Sequence, residues 1–259
     1  MNERGSDMTG AIKEKKPYIS PFSMQHENVL KWTNMTSKEI PLKNGLLNVP
    51  SSVAALVHDL AIVGVIGSSQ CKRLYVRSNS AEKISKALDL GLLKKHELVR
   101  GNQIIPLYTL GATGMCLAGL DYKDYANYWK KYTIQDVLQR LVFFQTYGQM
   151  KDVTDMEILE SETPFVASLK INERLFNILV LRGNESIVAN YFRYETDIPS
   201  QIIIITEGIN HITPIQNVLS PFTDRIRLTT DERLKMPFED MFYYFNENNE
   251  WILENTSNN

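Results

Sequence analysis

Residues 52–119, SVAALVHDLAIVGVIGSSQCKRLYVRSNSAEKISKALDLGLLKKHELVRGNQIIPLYTLGATGMCLAG, begin with helical periodicity and end in strands. In the opening segment Val53, Leu56, Val57, Leu60 and Ile62 or Val63 recur at three- and four-residue steps behind a Ser51-Ser52 cap, the pattern of one buried helix face. Gly64 and Gly67 end that helix. A second short helix is expected from Ser68 or Ser69, burying Cys71, Leu74 and Tyr75 or Val76, before a turn at Arg77-Ser78-Asn79. Asn79 or Ser80 can cap a third helix. It places Ile84, Ala87, Leu88 and Leu92 on one face and Ser80, Lys83, Ser85 and Lys86 largely on the others, with Gly91 at its stop. Leu93–Val99 and Gln103–Leu110 then read as two strands joined through Arg100-Gly101-Asn102. Three helices followed by a hairpin is the order of a winged helix-turn-helix.

Such a unit enters a major groove with an exposed helix side, where small polar and cationic residues meet base edges and phosphates. Lys83 and Lys86 fit that need, with Ser80 and Ser85 as hydrogen-bonding neighbours. On the hairpin, Lys94, Lys95, Arg100, Asn102 and Gln103 are placed to reach the adjacent backbone or minor groove. Double-stranded DNA is therefore the expected partner. The plainer reading of any single lysine is a solvated charge, and some winged domains bind protein instead.

Segment charges favour the same region. The chain carries a net charge of −2, which argues against a generally adhesive basic protein. Residues 51–120 hold eight Lys/Arg against four Asp/Glu, whereas residues 121–259 hold thirteen against twenty-one. The basic part coincides with the expected DNA reader; the acidic half is suited to protein contacts, with itself as a homodimer or with a replication or transfer protein.

At 259 residues and 43% hydrophobic content, two modest domains are expected. No window approaches a membrane span and the first residues lack a signal-peptide core, so a cytoplasmic site of action is expected. Cys71 and Cys116 lie on apolar helix faces and are expected as buried reduced thiols. The four histidines are dispersed, so no metal site or cofactor is indicated.

Residues 1–28 read as a disordered arm, 29–120 as the winged domain, 121–245 as an α/β assembly domain and 246–259 as a flexible tail. Val29–Trp32 and Gly45–Val49 are short apolar stretches expected to pack outside the winged domain. In the second half, Ile134, Val137, Leu138, Leu141 and Val142 predict a helix over 133–147. Thr163–Ile171 and Arg174–Leu181 predict a hairpin around Asn172-Glu173, and Ser186–Tyr194 a strand or a helix. The continuous Ile202–Ile205 predicts a strand buried on both faces, Thr213–Leu219 a helix and Arg225–Thr229 a late strand. The whole is an α/β fold, α+β overall, with a central sheet in its second half. The aromatic run from Pro237 to Phe245 reads as a terminal core helix, with partner docking as the alternative.

The segment IIPLYTLGATGMCLAGL resembles the YxLTxxG ending of bacterial winged helices at Tyr108, Leu110 and Gly114, with Gly111 where threonine is usual. Together with TIQDVLQRLVFFQTYGQ, IIIITEG and RIRLTTDERL, it resembles the layout of the replication-relaxation family of plasmid and mobile-element accessory proteins, over residues 50–235. The resemblance implies a restriction-endonuclease-like second domain, commonly without obvious catalytic residues, and a role in plasmid replication or mobilisation.

A metal-dependent nuclease needs an acid at a strand start and an alternating Asp/Glu and Lys on the next strand. Glu157, Glu160 and Glu162 precede Ser168-Leu169-Lys170, but serine occupies the carboxylate position. Glu173 and Glu207 lack an alternating partner. Phosphate-cradling glycine loops and a nucleophile elbow are absent from the sequence. The expected function is a non-catalytic, sequence-specific DNA-binding accessory or regulatory protein. A winged adaptor between proteins and a metal-dependent nuclease are the alternatives.

Overall fold

The computed structural model describes residues 19–36, 39, 41, 49–246 and 250–254. The chain is a mixed α/β protein with two sheets. Its first strand, β1 (Asn28–Lys31), precedes α1 (Ser51–Val63), β2 (Ile66–Gly67), α2 (Ser68–Leu74), α3 (Ser80–Asp89), β3 (Leu93–Arg100) and β4 (Gln103–Leu110). Short helices α4 (Ala112–Leu117) and α5 (Tyr122–Tyr125) lead to the long α6 (Ile134–Lys151). There follow β5 (Met156–Leu159), β6 (Ala167–Ile171), β7 (Arg174–Val180), α7 (Glu185–Tyr194), β8 (Ile202–Thr206), α8 (Gln216–Leu219), β9 (Ile226–Thr230), β10 (Tyr243–Phe245) and β11 (Trp251–Leu253). Among the described residues no helix is long and apolar enough to cross a membrane.

Local chemistry explains the breaks between the first elements. Gly64 stops α1 at φ 98°, and a Cβ there would lie 2.3 Å from the Tyr132 hydroxyl. Asn79 stands at the N-cap of α3 in the left-handed region, although its side chain makes no capping bond. Gly91 leaves the same helix at φ 66°. The β3–β4 ladder runs from Leu93↔Leu110 to Arg100↔Gln103, so Gly101 and Asn102 form a two-residue loop. Sheet order is β1-β3-β4-β2, with β1 antiparallel to β3 at its outer edge.

The second sheet has the order β11-β10-β9-β8-β7-β6-β5. Its centre, β7-β8-β9, is parallel and both flanks are antiparallel. Every residue of β8 is buried, as a central strand covered on both faces requires. Asn172 and Glu173 turn the β6–β7 hairpin with φ 46° and 65°, the positive pair a two-residue loop needs.

Strand alternation sorts the core. Ile202 and Ile204 of β8, with Leu179 of β7 and Leu228 of β9, pack with Val188 and Phe192 of α7. Ile203 and Ile205 face the other way, into a core shared with Val142, Phe143 and Tyr147 of α6 and with Leu56, Leu60 and Ile84 of the N-terminal helices. A third cluster joins Leu98 and Leu107 of the hairpin to Val137, Leu138 and Leu141 of α6.

Several expectations change. Residues 1–18 lie outside the described residues, but over residues 19–28 the arm is not free: Ser20 and Ser23 are fully buried. Ser20 Oγ and the Arg182 guanidinium both donate to the buried Asp231 carboxylate, and Arg182 Nε donates to the Phe22 carbonyl at 3.1 Å. Val29–Lys31, expected only to pack, lies in a strand because β3 offers it a free edge. Gly45–Asn48 lie outside the described residues. The aromatic run forms a short helical turn at Phe238–Asp240 and then strand β10. Tyr243–Phe245 pairs with Trp251–Leu253, so the expected tail contains a strand; residues 247–249 and 255–259 lie outside the described residues. Ladder hydrogen bonds to distant partners decide these segments, and local pattern does not report such partners. Cys71 is buried, but Cys116 is exposed because α4 turns that side outward.

His96 is fully buried between Trp32 and Trp129, with ring centroids 4.9 and 4.7 Å away. Its Nδ1 accepts from the Thr33 N–H at 3.0 Å, which leaves Nε2 to donate to Thr109 Oγ1 at 2.8 Å. Burial, helped by Lys94, pushes the imidazole from 6.5 down to about 3. Between those values the unfolded chain binds a proton that the folded chain does not, so stability falls as pH drops below about 6.5, by up to ~1.4 kcal/mol per pH unit. In urea titrations at stepped pH, His96→Gln is expected to flatten that acid slope. Arg182→Ala, which strands the Asp231 carboxylate, is expected to lower unfolding free energy by about 3–5 kcal/mol in the same assay at neutral pH.

Candidate nucleic-acid interface

Helix α3 buries Ile84 and Ala87 against the N-terminal core, so its remaining residues carry whatever the helix presents outward. Ser85 and Lys86 are exposed, whereas Ser80 and Lys83 are half-buried. Lys83 Nζ donates to Ser78 Oγ at 3.2 Å, and Lys83 and Lys86 border a shallow depression with Pro50 and Val53 of the α1 start. Glu82 and Asp89 share the outward sides, so the helix is mixed in sign.

The hairpin divides the other expected residues between two faces. Successive side chains of a strand alternate, and Leu93, Tyr108 and Leu110 lie in the core that holds α3. Lys95, Glu97 and Val99 therefore project on the α3 side of the sheet, with Ile104 opposite Val99. Lys94, His96, Leu98 and Arg100 project on the opposite side, where Leu98 packs on α6. Lys94 Nζ is bound to Glu39 Oε1 at 2.7 Å, and Arg100 Nε donates to Asn28 Oδ1 at 3.1 Å. Gln103 is exposed on that second side, and Asn102 is exposed at the loop. Ser80, Lys83, Ser85 and Lys86 thus share α3, and Lys95 lies on the sheet face toward it. Lys94, Arg100 and Gln103 project from the other face, although Lys94 and Lys95 both border a cavity with Leu88 and Asp89 at the end of α3.

Strand β1 adds residues that the sequence reading missed. Lys31 pairs with Glu97 and Val29 with Val99, so Lys31 extends the α3 side with a further exposed cation. Val29 and Ile104, 55% and 60% exposed, flank Val99 in an apolar row across the tip that no described residue covers. The available signal was the alternation in Asn28–Lys31, which is too short to read without its partner strand. Arg73 of α2 and Arg77 just after it are drawn toward the end of α6: both pair with its C-cap Asp152, at 3.0 and 2.8 Å.

Of the residues weighed for metal-dependent cleavage, Glu160, Glu162 and Ser168 line one cavity, while Lys170, Glu173 and Ser168 have side-chain partners. Lys170 Nζ pairs with Glu173 Oε2 at 3.0 Å, and Ser168 Oγ donates to Asn177 Oδ1 at 2.8 Å. Among the described residues no three His, Cys, Asp or Glu side chains are grouped to hold a metal ion. Comparison with family models, curated proteins and solved structures gives no match.

The two adjacent lysines of β3 are expected to behave differently. Lys94→Ala removes a partly buried ion pair and is expected to lower stability by ~1 kcal/mol, whereas Lys95→Ala changes it by less than ~0.5 kcal/mol; parallel thermal and urea melts read both.

Proposed function

We propose that Ser51–Leu110 is a winged helix-turn-helix that binds double-stranded DNA, with α3 in the major groove and the β3–β4 hairpin as its wing. The observation that carries the reading is the order α1-β2-α2-α3-β3-β4, with α3 packed on one side of a hairpin whose outer half no described residue covers on that side. Ser85 and Lys86 supply base-edge contacts, while Lys83, Lys95 and Lys31 neutralise phosphates. The face carries acids as well as lysines, which suits contact at fixed positions better than strong non-specific adhesion. In keeping with the resemblance to the replication-relaxation family, the chain acts as a non-catalytic accessory or regulatory protein of a plasmid or mobile element. It binds as a homodimer, and its acidic half engages a replication or transfer protein.

The apolar row of Val29, Val99 and Ile104 supports a second reading, a winged adaptor that binds protein. Fluorescence anisotropy with a random-sequence duplex separates the two. Binding at low salt that weakens linearly on a logarithmic salt axis is expected for DNA. Lys83→Ala and Lys86→Ala are each expected to weaken it by about 1 kcal/mol without loss of folding. Absence of duplex binding at low salt favours the adaptor, and unchanged affinity in the double variant places the recognition surface elsewhere.

A further inference from the structure

Among the described residues, the α6 side of the seven-stranded sheet is not covered to its end. Beyond the last turn of α6, a pocket of about 460 Å³ opens between Met150, the strand residues Ile171, Phe176 and Ile203, and Phe238 and Phe242. The pocket therefore has an apolar floor and aromatic walls, the usual composition of a small-molecule site. Phe238 and Phe242 stand edge to face, 5.5 Å apart, on either side of Glu239 in sequence.

Four polar residues also line the pocket, Thr154, Arg227, Glu239 and Glu254, with Arg227 the β9 neighbour of Ile203. Arg227 is already engaged, donating from Nε to Glu254 Oε2 at 3.0 Å and from Nη1 to the Ile226 carbonyl at 3.2 Å. Glu239 is exposed and has neither an ion pair nor a hydrogen bond among the described residues. One guanidinium meets two carboxylates, so the polar lining is net negative, and the carboxylate left over is Glu239. An incoming anion shares Arg227 with Glu254 and approaches the Glu239 carboxylate; an incoming ammonium meets Glu239 directly and can rest against the Phe238 and Phe242 rings.

We propose that this pocket binds a small amphipathic cation, an aromatic or aliphatic body carrying one ammonium group, with the body on Phe176 and Ile203 and the ammonium on Glu239. The site is independent of the proposed DNA surface and stands or falls without it. Three probes with one tail test it by calorimetric titration of the full chain at neutral pH: phenylbutylamine, phenylbutyrate and phenylbutanol. The amine is expected to bind about tenfold more tightly than the acid, with the alcohol between them. Glu239→Gln, an exposed substitution, is expected to remove the amine's advantage while leaving the thermal melt unchanged. Thr154→Trp, which fills the mouth, is expected to abolish binding of all three. The proposal is overturned if the amine shows no saturable binding up to millimolar concentration, if the acid binds as well as the amine, or if Glu239→Gln leaves the preference intact.

Discussion

Burial of helix α6 on two fronts is the constraint on which the architecture rests. Eleven of its 18 residues are buried, which no single sheet face could achieve for a helix that long. Val142, Phe143 and Tyr147 face the shared core, while Val137, Leu138 and Leu141 close against the hairpin residues Leu98 and Leu107. Gly148 lets α2 lie close: a Cβ there would lie 3.2 Å from Leu74 Cδ2. Gln70 donates to the Leu141 carbonyl and Arg73 to the Gly148 carbonyl, so polar contacts fix the register that the apolar packing permits. The N-terminal helices and the seven-stranded sheet thus share one core.

That packing also determines which side of the hairpin is open. Leu98 and Leu107 must be covered, so the Lys94 and Arg100 side turns toward α6, Glu39 and Asn28, and the Lys95 side is left with α3. The separation follows from alternation along one strand: neighbours in sequence are on opposite faces. At its other end, α6 contributes Met150 to the apolar pocket. The same helix therefore borders the apolar pocket at one end and backs the hairpin face opposite α3 at the other.

A second anchor operates at the ends of the parallel strands. Arg182 follows β7 and Asp231 follows β9, and both are almost fully buried. The segment beginning at Ser20 supplies a hydroxyl to Asp231 and a carbonyl to Arg182, satisfying hydrogen-bonding groups that would otherwise be costly to bury. From there the chain enters β1, which covers the outer edge of β3. The N-terminal segment is therefore a strap across both sheets and supplies Lys31 to the open face.

The first helices, the Gly101-Asn102 loop, the buried β8 and the Asn172-Glu173 turn were legible because each depends on neighbours within a few residues: apolar spacing, a glycine at positive φ, a run long enough to be central. Strands β1, β5, β10 and β11 were not, since four residues or fewer carry too little alternation and their hydrogen bonds go to partners elsewhere. The nine residues expected to meet DNA were legible as a set of polar and cationic types on a helix and a hairpin, but their division was not. Sequence by itself determined which segments are helix or strand wherever the period is local, and which residues are chemically able to contact a phosphate. Only the tertiary structure decided that Lys94 and Arg100 are tied down while Lys31 and Lys95 are not, because that outcome depends on which sheet face α6 buries.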